Sequence, residues 1–499
     1  MLGTSLTALV FIRTCIFALR SVAPIAIACT AASVLARRHF FPWPLELYFA
    51  TETAFYACWY LPWKRRLERP AVHPPARPPA ERRKLFTKCH NTVDSLEAYL
   101  SGWFHGADPA TIHRENLAQF LTWAFLDRDT LPVEGSEEAR ELKDYVGEFE
   151  TSLGRKLPEG FNEGVRSLRL TLDPVKMTHR SLLWYFMVHV VDVLTSTRLA
   201  FRGMRLYATP GWFNVFPGRW HAWLVSAGVS SPSKDFSYWY RPHTATDKLP
   251  VVFLHGLGIG LYPYVPFLSE IADEVGEEVG IIAVEIMPIS MRICGDPLEP
   301  SEFSSQILSI LNHHGITDFV LVGHSYGTIL STHLLHSPTI GPRISSVLLI
   351  DPIAFLLHHP SVAYNFTSRP PRSANERQLN YFASLDPGIA HTICRHFFWG
   401  QNILWREELA GRKCAVAMGG RDLLVDSRSI WEYLTGHKGQ EVVEETTVDV
   451  KEDGKADGGN GQLKVMWYKD CDHAQVFDTA LRRRRLVETV ARFSKDVRA

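Results

Sequence analysis

The stretch VLVGHSYGTIL, Val320 to Leu330, joins a strand-like apolar run to a helix-like one through Gly323-His324-Ser325-Tyr326-Gly327. A serine hydroxyl is a poor nucleophile. To react it must stand clear of a sheet, beside a base and near backbone N–H donors. A tight strand-to-helix turn meets all three needs. It also brings the chain so close to its neighbours that the positions two before and two after the serine must be small. Gly323 and Gly327 occupy those positions, and the helix opening at Tyr326 points its positive end toward an oxyanion formed there. His324 reads as a packed residue or one at a pocket rim.

A serine of this kind needs an acid and a histidine, following it in that chain order at later strand ends. In CAVAMGGRD, Asp422 lies just past a strand in a Gly-containing turn. Asp351, ending VLLID one strand earlier, is the rival acid, and Asp426 a weaker candidate. With 21 histidines in the chain, only position and order single one out. His473, in YKDCDHAQVF, follows the last strand candidate and precedes the terminal helix. Asp470 and Asp472 read as loop charges, either able to raise the pKa of His473 if close. An oxyanion hole needs two N–H donors. Tyr326 supplies one, and the turn HGLGIG (255–260) the other, from Leu257 or alternatively Gly258. His255 reads as an orienting or structural residue.

Around these motifs, short apolar runs alternate with helical ones. Strand candidates are 236–241, 250–256, 280–286, 318–324, 345–351, 414–418 and 463–468. Near-continuous apolar strands alternating with helices predict an α/β fold with a parallel sheet covered on both faces. Residues 352–412 form an aromatic, His-rich excursion between two strands. Residues 437–462, polar, acidic and Gly-rich, read as a disordered surface insertion. Residues 85–235 read as mainly helical, a packing and covering region without chemistry of its own. Within them Leu182 to Leu194 is too short to span a bilayer and predicts a buried helix.

HGLGIG, GHSYG, Asp422 and His473 together resemble the α/β-hydrolase superfamily, in its serine esterase/lipase-like branch. The resemblance covers residues 236–499 as a catalytic domain. It implies an eight-stranded, mostly parallel sheet and a lid after the sixth strand, where residues 352–412 fall. The first family strand has no match here. Superfamily epoxide hydrolases and dehalogenases carry Asp at the elbow, so Ser325 speaks against both. The expectation is cleavage of carboxylic esters, lipid-like or apolar, through an acyl-enzyme. An acyltransferase using the same three residues and a non-catalytic scaffold are the alternatives. No cofactor or metal is called for: there is no H-E-x-x-H, and HGLGIG is not the G-x-G-x-x-G of a dinucleotide site.

Lys and Arg number 53, as do Asp and Glu, so no net field points to nucleic acid. The eight cysteines are scattered without C-x-x-C and read as thiols. The first acidic residue is Glu46. Before it, Ser21 to Ala36 is apolar and uncharged between Arg20 and Arg37, whose side chains can snorkel. Phe40 to Trp63 is aromatic-rich but carries Glu46 and Glu52, which suits a membrane interface. Residues 1–66 are therefore expected to anchor the chain, with a cleaved signal or a mitochondrial presequence as rivals. Residues 67–84 read as a basic, Pro-rich linker that favours a cytoplasmic-facing catalytic domain, on an endomembrane or a mitochondrial membrane. Asn365-Phe-Thr is a glycosylation sequon by chance or by topology.

Overall fold

A computed structural model describes residues 3, 5–211, 214–226, 228–451 and 461–496. Its centre is a nine-stranded sheet in the order β1-β2-β4-β3-β5-β6-β7-β9-β8. The strands are β1 (Arg205–Tyr207), β2 (Ser237–Arg241), β3 (Val251–Leu254), β4 (Ile281–Glu285), β5 (Phe319–His324), β6 (Ile344–Ile350), β7 (Lys413–Gly419), β8 (Glu445–Val450) and β9 (Gly461–Tyr468). From β4 to β9 neighbours run parallel; β1, β2 and β8 pair antiparallel at the two edges. Every residue of β2 to β6 is buried, as expected of strands covered on both faces.

Each predicted strand is present. Two more complete the sheet, one beyond the eight implied by resemblance. β1, only three residues long, starts the sheet at 205 rather than 236. β8 corrects the reading of 437–462 as disordered: ETTVDV pairs with β9 from Glu445↔Met466 to Val450↔Gly461. Its β-branched Thr446 and Val450 are buried in alternation with exposed neighbours, the period-2 pattern of an edge strand. Residues 452–460 of that segment lie outside the described residues.

The chain begins with α1 (Leu6–Ala36), α2 (Trp43–Ala54) and α3 (Leu61–Leu67), the last two joined by a π-helical turn. Among the described residues α1 is the one helix long and apolar enough to cross a membrane by length and composition. It runs through Arg13 and Arg20, well beyond the 21–36 core. Glu46 closes the turn to α2, accepting from Phe40 N (2.8 Å), Phe41 N (3.2 Å) and Ser33 Oγ (3.2 Å). Glu52 is fully buried. It accepts from Leu182 N at 2.8 Å and faces His179 Nε2 at 3.1 Å. That places a carboxylate on the N-terminus of a following helix, where the dipole favours it.

The covering region holds α4 (Pro79–Asn91), α5 (Leu96–Trp103), α6 (Arg114–Leu126), α7 (Glu137–Leu153) and α8 (Leu182–Phe201). Residues 67–84 are not a free linker, because α4 begins inside them. Arg77 donates to Gly400 O and buried Arg82 pairs with Glu141. Helix α8 is not buried all round either. Trp184, Tyr185, Val188, Asp192 and Leu199 face inward, while Leu183, Phe186, Met187, Val190, Leu194 and Phe201 are exposed.

Short α9 (Ala222–Ser226) precedes the helices that flank the sheet: α10 (Val265–Val275), α11 (Pro300–His313) and α12 (Tyr326–His336). The excursion after β6 is helical, with α13 (Pro360–Thr367), α14 (Ala374–Leu379), α15 (Pro387–Arg395) and α16 (Trp399–Asn402). Helices α17 (Ser427–Thr435) and α18 (Ala480–Ser494) close the chain. The covering helices and the excursion are tied together: Trp103 Nε1 donates to His358 O, and Trp399 Nε1 to Ala124 O, both at 3.0 Å.

Candidate active site

Ser325 sits between β5 and α12 with φ 52° and ψ −118°, a strained conformation for a residue with a side chain. The flanking glycines have steric causes. A Cβ on Gly327 would stand 2.2 Å from Leu254 O, and one on Gly323 would stand 2.3 Å from Ser331 Oγ and 2.8 Å from Gly327 O. The loop after β3 passes equally close, since a Cβ on Gly256 would lie 2.8 Å from Ser325 Cβ.

His473 Nε2 lies 2.9 Å from Ser325 Oγ, and its Nδ1 lies 2.7 Å from Asp422 Oδ2. Three residues from three strand ends thus converge at one rim of the sheet. The Asp422 loop is itself fixed. Its Oδ1 accepts from Leu424 N (2.7 Å) and Val425 N (3.0 Å). Asp472, read from sequence as a loop charge, does more. Its Oδ1 accepts from His473 N (2.7 Å) and Leu423 N (2.9 Å), joining the acid loop to the histidine loop. Asp470 is an exposed partner of Arg421, and Asp426 caps α17 through Ser429 N.

Asp351 is close but engaged elsewhere. Its Oδ1 accepts from Gly419 N (3.0 Å), its Oδ2 from Ala474 N (2.7 Å), and His324 Nε2 is 3.6 Å away. It braces the turns that carry Asp422 and His473. It also adds charge: burial opposes the imidazolium, but Asp422, then Asp351 and Asp472, outweigh it and raise His473 to about 9. Burial in turn raises Asp422, against the pull of His473.

His324 is buried, with Nδ1 2.8 Å from Tyr264 Oη, which accepts from Gly256 N at 3.2 Å. His255 is fully buried and satisfied: Nδ1 donates to Gly256 O (2.8 Å) and Nε2 accepts from Ile286 N (3.0 Å). Burial lowers it to about 4, so it stays neutral. Both histidines hold the turn after β3. The alternative donor Gly258 is corrected: its N–H is spent on Ile289 O at 3.0 Å. The Leu257 N–H has no hydrogen-bond partner among the described residues, and Tyr326 N–H is one of the unpaired first-turn donors of α12.

The site is closed. Ser325 is 4% and His473 6% exposed. Two hollows flank it. One, about 30 Å³, is lined by Leu257, Leu424, Phe397, Trp399, Trp103 and Trp123, among others. The last two come from the covering helices, to which the sequence assigned no part in the site. The other, about 570 Å³, includes Tyr326, Ile289, Phe303 and Arg219 in its wall. The sequon residue Asn365 uses its amide nitrogen to donate to Leu424 O at 2.9 Å, so the atom a glycan would need is occupied.

Residues 251–488 match the model of the alpha/beta hydrolase family. Among solved structures, the naproxen esterase of Bacillus subtilis aligns at 15% identity and TM-score 0.35, over 52% of this chain and 89% of that one. A bacterial membrane phospholipase A aligns at 12% identity and TM-score 0.37, over 62% and 94%. A second carboxylesterase of Bacillus subtilis aligns at 11% identity and TM-score 0.35, over 62% and 98%. No curated protein matches the chain. With its mostly parallel sheet and this family match, the segment 251–488 has the α/β-hydrolase fold.

Proposed function

We propose that the protein is a membrane-associated serine hydrolase that cleaves carboxylic esters with an apolar acyl group. The observation that carries this is the continuous pair of hydrogen bonds from Ser325 Oγ through His473 to Asp422. In the reaction His473 Nε2 takes the Ser325 proton as Oγ attacks the ester carbonyl. Asp422 holds the proton on Nδ1 and so keeps Nε2 a base. The N–H groups of Tyr326 and Leu257 receive the oxyanion at the start of α12, where the helix dipole adds to them. The imidazolium then protonates the departing alcohol, and water attacks the acyl-enzyme with His473 again as base.

An apolar substrate is supported by the aromatic side chains beside Leu257, around a hollow of about 30 Å³ that must widen to admit an acyl group. Membrane association is supported by α1 and by the exposed apolar stripe on α8, which continues to Phe216 and Trp220. The test is fluorophosphonate labelling of wild type and Ser325→Ala, with hydrolysis of acyl esters of graded chain length. Labelling and hydrolysis that both vanish in the variant sustain the reading. Hydrolysis undiminished in Ser325→Ala overturns it. Transfer to an added alcohol faster than hydrolysis would favour acyl transfer. No labelling of either protein would favour a scaffold.

A further inference from the structure

We propose that Asp296, His391 and His396 bind a divalent transition-metal cation of the zinc type, outside the Ser325 site. The ligand atoms are Asp296 Oδ1 and the two Nε2 atoms. Asp296 lies in the segment between β4 and α11. His391 lies in α15, and His396 is the residue that caps its C-terminus. Because His396 leaves the helix at φ −126°, a residue five positions on turns back to face His391.

Proton arithmetic makes the first argument. His391 Nδ1 is 3.0 Å from Leu67 O, a carbonyl that can only accept, so Nδ1 carries the hydrogen. A neutral His391 then presents a lone pair on Nε2. That nitrogen is 3.2 Å from Asp296 Oδ1, also an acceptor, and 3.2 Å from His396 Nε2. A proton on His391 Nε2 can point squarely at only one of the two neighbours, whereas a cation takes a lone pair from all three atoms.

Distance makes the second argument. Zinc bound tetrahedrally at about 2.0–2.1 Å sets its ligand atoms about 3.3 Å apart. Two of the three separations are 3.2 Å, and all three ligand atoms lie within 4.8 Å of one another. The surroundings also suit a metal. The Nδ1–H bond to Leu67 O fixes the tautomer and ring plane of His391, as outer partners of metal-bound imidazoles do. Arg66 Nη2 reaches both Asp296 oxygens, at 3.2 and 3.1 Å, and orients the carboxylate. Two imidazoles favour zinc, copper, nickel or iron over calcium or magnesium. Asp296 and His396 also line the larger hollow that Tyr326 reaches. Leu67 and Arg66 belong to α3, so the ion would pin the first helices to α15.

The test uses the full chain in detergent, stripped with chelator and titrated with Co²⁺ as a visible probe, then with Zn²⁺ as competitor. The expected result is a single Co²⁺ per chain with tetrahedral absorption, displaced by Zn²⁺ and not by Ca²⁺. His391→Ala and His396→Ala weaken it about 100-fold or more, and Asp296→Asn about 10-fold or more. The Asp296 side chain is 43% exposed, so the Asn variant keeps its fold even where a histidine variant does not. Co²⁺ binding no tighter than millimolar in wild type, or unchanged in Asp296→Asn and His396→Ala, overturns the proposal.

Discussion

Two regions meet over Ser325 and are built by different rules. The rim below is set by backbone: β5, β7 and β9 end side by side, and glycines, an inward N–H and short carboxylate bridges fix where three side chains stand. The cover above is set by side-chain volume: Trp103, Trp123, Phe397 and Trp399 fill space from segments hundreds of residues apart. In the proposed reaction the rim sets which bond is broken, and the cover sets what reaches it. Substitutions in the two should therefore fail differently.

The largest effect belongs to the rim. Ser325→Ala should lower ester hydrolysis on the order of 10⁴-fold or more and abolish phosphonate labelling, with thermal stability nearly unchanged. Asp422→Asn should follow at on the order of 10³–10⁴-fold in kcat, because the amide cannot hold the Nδ1–H tautomer. Asp351→Asn separates the two acids. It should cost about tenfold or less, which kinetics at the pH optimum would check. An equal loss in both would mean that the histidine uses either carboxylate.

The pH profile sharpens this contrast. The reaction needs a neutral His473, and its pKa is raised from 6.5 to about 9 by neighbouring carboxylates. Activity should therefore climb as pH rises through that window and be low at pH 6. Asp351→Asn removes one of the charges holding the proton, so its acid limb should shift downward. A limb already at or below the ordinary histidine value in wild type would contradict the electrostatics.

Changes in the cover should be smaller in rate and larger in selectivity. Trp103→Ala should cost about 3 kcal/mol of stability, read by denaturant unfolding, and shift preference toward longer acyl chains. Least of all, Phe186→Ser with Val190→Ser on the exposed stripe of α8 should leave hydrolysis of a soluble ester unchanged. Turnover of the same ester in vesicles should fall several-fold as apolar area is lost from the bilayer contact.

The same division explains what was legible in sequence. The elbow was readable because its residues are close in sequence: Gly323 and Gly327 flank Ser325 within five positions, although the atom that crowds Gly327, Leu254 O, comes from β3. Asp422 and His473 were readable by order, because a parallel sheet puts successive strand ends on one edge. The spent N–H of Gly258 was not readable, since its acceptor Ile289 comes from the turn after another strand. Neither were Trp103 and Trp123, because an apolar helical face looks alike whether it seals a core or lines a hollow. β1 is too short to leave a pattern, and the alternation of β8 is hidden in a run dominated by charge and glycine.

The indole bonds from Trp103 to His358 and from Trp399 to Ala124 have a practical consequence. They rivet the excursion after β6 to helices encoded some 250 residues upstream. That excursion is accordingly packed against the N-terminal half as well as against the sheet. A recombinant fragment cut at residue 236 would leave Trp103 and Trp123 of that roof behind, so the full chain is the form in which the proposed activity should be sought.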